Sequence, residues 1–289
     1  MTRFLYFSLI FVLGPQQDHP NLYPVRQDGL WGFINSSGDI AISARYEGAL
    51  EFSEGLSGVQ IGDLWGFIDR EGNLAIQPQF DEVEPFSEGL SLVRICERYG
   101  FVDLNGRFVI NPRYQQASSF SDGVAVVRLK RTFMLIDREE QAVLDKTFVQ
   151  MDAFREGLAP ARLERKWGYI NKDGDWIIPP QFTMAFPFSD NVAMVKMKGR
   201  YGYINKKGNF LIEPRFLVAG EKNSRFSEGL AAVRMENHWG YIDKGGDLVI
   251  DSRFSWGEPF RNGYARVHVN GQVAYIDKTG EFAWKPDKK

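Results

Sequence analysis

A chain of 289 residues with 35 basic and 37 acidic side chains, net charge −2, has no global positive field to gather nucleic acid. Its single cysteine, Cys96, rules out an intrachain disulfide framework. The 29 glycines alongside 23 Phe, 11 Tyr and 7 Trp suit many short strands joined by tight turns and argue against helices.

The first predicted element is the apolar run Phe4 to Leu13, which follows Arg3 and ends at Gly14-Pro15. Ten residues are too few to cross a ~30 Å hydrocarbon core as a helix, but they match the apolar stretch of a secretory signal. No Ala-x-Ala site follows, and the alternative is a cap on the first repeat. Residues 1–21 are therefore set apart as a signal-like segment or cap with its linker. If residues 1–14 act as a signal, the protein is exported to the periplasm or cell surface; otherwise it is cytoplasmic. Membrane contact is expected through this segment alone.

From residue 22 the chain repeats. An aromatic-Gly pair recurs as Trp31-Gly32, Trp65-Gly66, Tyr99-Gly100, Trp167-Gly168, Tyr201-Gly202 and Trp239-Gly240, with Phe133-Met134 and Val273-Ala274 as worn copies. Successive spacings are 34 residues, except for one of 38 caused by an insertion near Glu221–Ser224. Ile or Val followed by Asp or Asn comes three residues later, as in Ile68-Asp69, then a Gly column that only Glu140 breaks. A Phe-Ser-Glu-Gly-type tetrapeptide closes each unit. Its last position is Gly, or in one copy Asn191, the residue that best tolerates a left-handed backbone after Gly. Self-similarity at this period means a repeat architecture, so residues 22–289 form a single domain of eight repeats.

Asp28-Gly29 and Asn270-Gly271 predict two-residue hairpins, and Asp69-Arg70-Glu71-Gly72 predicts a type I turn with a Gly bulge. Each repeat then reads as a three-stranded antiparallel meander, near 56–61, 64–69 and 73–77 in the second copy. The hairpin register sets a cation opposite most rings: Arg26 with Trp31, Arg94 with Tyr99, Arg128 with Phe133, Arg162 with Trp167, Lys196 with Tyr201 and Arg234 with Trp239. The expectation is cross-strand cation–ring stacking in all six pairs. Both faces of the meander are apolar, so each must be covered by a neighbour. An all-β open superhelix, or solenoid, is favoured because three strands are fewer than the usual four per propeller blade; the alternative is a closed β-propeller.

The block Lys166-Trp167-Gly168-Tyr169-Ile170-Asn171, with Gly174 and the Phe-Ser-Glu-Gly units, resembles the bacterial WG (KWG) repeat family. The resemblance runs from about residue 22 to 284 and implies a bacterial β-repeat protein with binding roles and no catalytic residues to carry over. A looser likeness to the aromatic hairpin repeats of cell-wall-binding modules implies glycan binding.

The function expected is therefore a non-enzymatic scaffold for a protein partner or cell-envelope polymer. One alternative is a glycan-binding protein; another, a hydrolase drawing on turn carboxylates such as Glu54 and Asp81. The binding candidates are Trp256, a ring in the slot that Glu82 holds in another copy, and the exposed cationic row Arg98, Lys166, Arg200 and His238. No cofactor or metal is expected: the Asp-x-x-Gly turns lack the alternating oxygen ligands of a calcium loop, and no zinc spacing or phosphate-cradling loop occurs.

Overall fold

The computed structural model describes residues 21–217, 224–235 and 237–285. The N-terminal apolar run lies outside them, as does most of the four-residue insertion.

The described residues fold into eight antiparallel sheets. The second is typical, with strands Gly48–Ala49, Ser57–Ile61, Leu64–Ile68 and Leu74–Phe80 in that order across the sheet. The hairpin register is the one expected from the two-residue turns, pairing Gln60 with Trp65 and Ile61 with Leu64. Asp28-Gly29 and Asn270-Gly271 have positive φ at both turn residues, the geometry of a type I′ turn. In the Asp-x-x-Gly turns the side chain closes the loop: Asp69 Oδ1 accepts from the backbone N–H of Glu71 and Asn73, at 3.1 and 2.8 Å. At Asp277 the Thr279 hydroxyl and backbone N–H groups make such bonds, holding its carboxyl below the ordinary 3.8.

The expected meander is thus present, but most copies carry a fourth strand. It is built from the connection before each Phe-Ser-Glu-Gly and pairs only two residues, Gly48 with Gln60 and Ala49 with Val59. The outer strand of the same sheet has seven residues. Each sheet is consequently a wedge, narrow inside and broad outside.

Eight such wedges close into a ring, which corrects the expectation of an open superhelix. The last repeat packs on the first: Tyr23, Val25 and Ile34 share one cluster with Val273 and Tyr275. The Tyr275 hydroxyl donates to the Pro24 carbonyl at 2.8 Å. The Tyr23 ring lies 5.5 Å from both Tyr264 and Tyr275, and Arg261 bridges to Glu51 at 2.6 Å. The fold is an eight-bladed β-propeller. Counting strands misled because the fourth is too short to register as a periodic apolar segment.

The core lies between blades. Phe67, Ile76 and Phe80 of the second blade pack against Val83, Phe86, Val93 and Val102 of the third, with the Phe67 and Phe86 rings 4.8 Å apart. Burying one such side chain contributes about 1.5–3 kcal/mol.

The two ends of the ring differ in chemistry. At one end, the Phe-Ser-Glu-Gly turns join blade to blade. Ser53 Oγ donates to the carbonyl of Phe86 at 2.6 Å, and Ser87 Oγ to that of Phe120 at 2.7 Å. The Glu54 carboxylate accepts the Gly89 N–H at 2.8 Å, and Glu88, Asp122, Glu156, Asp190 and Glu228 repeat the bond around the ring. Cations from the next Asp-x-x-Gly turn lock the same acids, as Lys206 does Glu156 at 3.2 Å and Lys244 does Asp190 at 2.9 Å. The opposite end carries the two-residue hairpins and the aromatic column.

Candidate functional site

The aromatic column sits beside the hairpin turns, and each ring's exposure depends on what the inner strands lay over it. Tyr201 and Trp239 are buried. Phe186 approaches Tyr201 at 6.4 Å between centroids, and Trp256 approaches Trp239 at 5.2 Å. Around Tyr99, Phe133 and Trp167 the corresponding positions are mostly polar or small, with Glu84, Gln116, Ser118, Gln150 and Asp152. Those three rings are half-buried. The result is a cleft of about 640 Å³ spanning blades three to five, into which rings, carboxylates and amides all face.

Each cation of the column stands opposite its ring as the register requires. Stacking holds for two: Arg128 lies over Phe133 at 5.7 Å and the Lys196 ammonium over Tyr201 at 4.8 Å. Arg94 instead bridges to Glu82 at 3.0 Å. Arg162 donates to the Gln150 amide and to the Glu164 carbonyl, and Arg26 donates to the Gly29 carbonyl at 3.0 Å. Arg234 is exposed. For Arg94, Arg162 and Arg26 the expected stacking gives way because a guanidinium gains more from a carboxylate or carbonyl within reach than from a ring quadrupole; nothing in the structure explains its absence at Arg234. Trp31 is stacked by a different cation, Arg266 of the last blade, at 5.4 Å.

Electrostatics in the cleft follow from these partners. Glu82 accepts from both Arg94 and the Tyr99 hydroxyl, the latter at 3.2 Å. Burial and then the Glu82 charge raise the Tyr99 phenol above its ordinary value, so it remains a hydrogen-bond donor. The cleft therefore offers aromatic faces with planar amide and carboxylate groups beside them, a set suited to holding polar ligands with apolar faces.

The other candidates are dispersed. Trp256 pairs with His268 in the register slot where Glu82 pairs with Arg94, and it is 40% exposed. It lies on the eighth blade, outside the cleft. Arg98, Lys166, Arg200 and His238 are all exposed at the start of their strands, on the hairpin end of blades three, five, six and seven. Glu54 and Asp81 do not converge: Glu54 accepts the Gly89 N–H at one end of the ring, and Asp81 accepts the Cys96 N–H in a hairpin turn at the other. Among the described residues, no group of three or more His, Cys, Asp or Glu side chains is placed to hold a metal ion. No helix among them is long and apolar enough to cross a membrane.

One structural device escaped the sequence reading. The arginine before the last aromatic of the outer strand reaches the next blade, as Arg45 does to the Gly72 carbonyl at 2.7 Å while lying 5.1 Å over its own Tyr46. Glu140, the break in the Gly column, belongs to this device. It accepts from Arg113 at 3.2 Å and from the Tyr114 hydroxyl at 2.7 Å. The Arg-Tyr and Arg-Phe pairs at that phase were the available signal.

The profile of the WG containing repeat matches residues 31–65, 65–95, 99–131, 133–167, 167–201, 201–237 and 239–272. The chain belongs to the WG repeat family. No curated protein is similar enough to this WG repeat chain to be matched. Several solved structures share its fold. NirN, a dihydro-heme d1 dehydrogenase, is 14% identical with a TM-score of 0.58 over 91% of this chain and 72% of its own. The extracellular domain of a putative hybrid two-component system from B. thetaiotaomicron is 10% identical with a TM-score of 0.55, covering 92% and 44%. PorZ, a surface component of the type-IX secretion system of Porphyromonas gingivalis, is 11% identical with a TM-score of 0.50, covering 84% and 38%. The WG repeat chain thus spans less than half the length of those last two, and at these identities the likeness establishes the fold alone.

Proposed function

We propose that this WG repeat protein is a non-enzymatic ring scaffold that binds a protein partner or cell-envelope polymer across the cleft of blades three to five. The observation that carries the reading is the cleft itself. The repeats bury their aromatic column in blades six and seven but leave Tyr99, Phe133 and Trp167 half-open above inward-facing amides and acids. Rigid rings cost little entropy to order on binding, which is why they dominate contact energy at interfaces. Export, expected from the apolar run before the first blade, would place the ring where an envelope polymer is met. Propellers occur in a surface component and in an extracellular domain.

A glycan is the favoured polymer, since Gln116 and Gln150 flank the three rings as planar hydrogen-bonding groups. Titrating solubilised envelope glycan against the protein tests this through Trp fluorescence. Saturable quenching that Trp167→Ala and Gln150→Ala each weaken about tenfold or more is expected, as for loss of one well-placed contact. Binding that both variants retain in full, or that only Trp256→Ala removes, overturns the assignment to this cleft.

A further inference from the structure

The innermost strand changes chemistry in three consecutive blades. Its first residue is Gly48 in the second blade and Met184 in the sixth, but Glu82, Gln116 and Gln150 in the blades between. The residue just past that strand keeps the same boundary, with Leu50 and Phe186 outside it and Glu84, Ser118 and Asp152 inside. All six polar residues line the one cleft together with Tyr99, Phe133 and Trp167. Each of blades three to five therefore repeats a unit of one ring and two polar groups.

An arginine holds the first polar group of every unit. Arg94, Arg128 and Arg162 stand opposite Glu82, Gln116 and Gln150 in the register. Arg94 bridges to Glu82 at 3.0 Å, Arg128 donates to Gln116 Oε1 at 3.5 Å, and Arg162 donates to Gln150 Oε1. In the sixth blade, where the slot holds Met184, the cation is Lys196 and lies over Tyr201 instead. An amide whose oxygen is engaged keeps its two N–H donors for a ligand, and a carboxylate keeps lone pairs.

The row is closed at both ends. A Cβ on Gly48 would lie 2.8 Å from Trp65 Cη2, so that ring rests on the inner-strand backbone of its own blade. At the other end Tyr201 is buried, with Phe186 beside it and its hydroxyl donating to Met184 Sδ at 3.8 Å. Three open units in series remain. Successive blades are related by a rotation about the ring axis, so equivalent groups recur along an arc. A ligand that meets the same contact three times along an arc has a repeating unit of its own.

We infer that the cleft takes three successive units of a linear polymer, one over each of Tyr99, Phe133 and Trp167, a register that rests on the glycan reading of this cleft and adds its length. Arg94, Arg128 and Arg162 are positioning residues, which fix the groups that hydrogen-bond each unit. A sugar suits every subsite. It has apolar faces for the rings, and its hydroxyls both donate to Glu82 and accept from Gln116 and Gln150.

Fragments of one to five sugar units, size-fractionated from the solubilised envelope glycan, are titrated against the full chain and read by Trp fluorescence. Affinity should rise about tenfold with each added unit up to three, as for one further contact, and stay level at four and five. In Tyr99→Ala the rise should stop at two units, with the affinity of two-unit fragments unchanged. Trp167→Ala shortens the series from the other end and serves if Tyr99→Ala does not fold. Arg162→Ala should weaken three-unit binding as much as Gln150→Ala does, and the double variant no further, because the arginine acts through the amide. Affinity that ignores length, or that keeps climbing to five units, overturns the three-unit register, while weaker binding by Trp167→Ala still upholds the cleft. If neither the fragments nor the parent glycan binds, the glycan reading falls and the three-unit register with it.

Discussion

The aromatic-Gly pair that names the repeat is explained by one close approach. A Cβ on Gly66 would lie 2.5 Å from the Ile76 carbonyl oxygen and 2.7 Å from the Pro78 nitrogen. The outer strand bulges inward there, skipping from the Trp65–Phe80 pair to the Phe67–Ile76 pair. Proline suits the bulge because it need not donate to the ladder. Gly66→Ala should therefore force the outer strand away and destabilise the protein by about 1–3 kcal/mol, the usual cost of overpacking. Urea unfolding measures it, and an unchanged midpoint would mean that the outer strand yields freely. The acid of the Phe-Ser-Glu-Gly turn has a parallel explanation. Glu54 and its equivalents sit at positive φ, where glycine is cheaper. A carboxylate is kept because it accepts the N–H of the next blade.

Blades differ where that glycine is missing. Met134 takes the position in the fourth blade, and the segment after Ile136 makes only isolated bridges, Phe133 with Phe148 and Ile136 with Ala142. The fifth blade, with Gly168, has the full outer strand Trp176–Phe182. Val149, 75% exposed, and Leu163, 54% exposed, line a groove of about 470 Å³ beside the incomplete edge. Local opening follows the density of paired backbone and buried contacts. Amide exchange between residues 137 and 149 should therefore run faster than between 176 and 182, and equal protection would contradict the pairing difference. The repeat columns had marked this blade in advance, since Met134 and Glu140 both depart from consensus. The cleft above it was not legible. Whether Tyr99, Phe133 and Trp167 are covered depends on side chains of separate strands in two blades, and no single-repeat pattern encodes that contact.

For the whole molecule, closure changes how stability is shared. In an open array each repeat leans only on its neighbours, and losing the last one leaves the rest nearly intact. In a ring the eighth blade also covers the first. Ending the chain after residue 254 strips the cover from Tyr23, Val25 and Ile34. Exposing them costs about 1.5–3 kcal/mol apiece. The shortened protein should melt at a clearly lower temperature, with the fluorescence of Trp31 changing in the same transition. Unchanged melting would speak for an open stack.

Strand identity, hairpin register and repeat count were local matters, written in turn dipeptides and in spacings of 34 residues, because backbone geometry at a two-residue loop depends on little else. Ring closure and the open cleft were not written locally. Each rests on groups from different blades, brought together only when wedges of a given angle are packed side by side and the last meets the first.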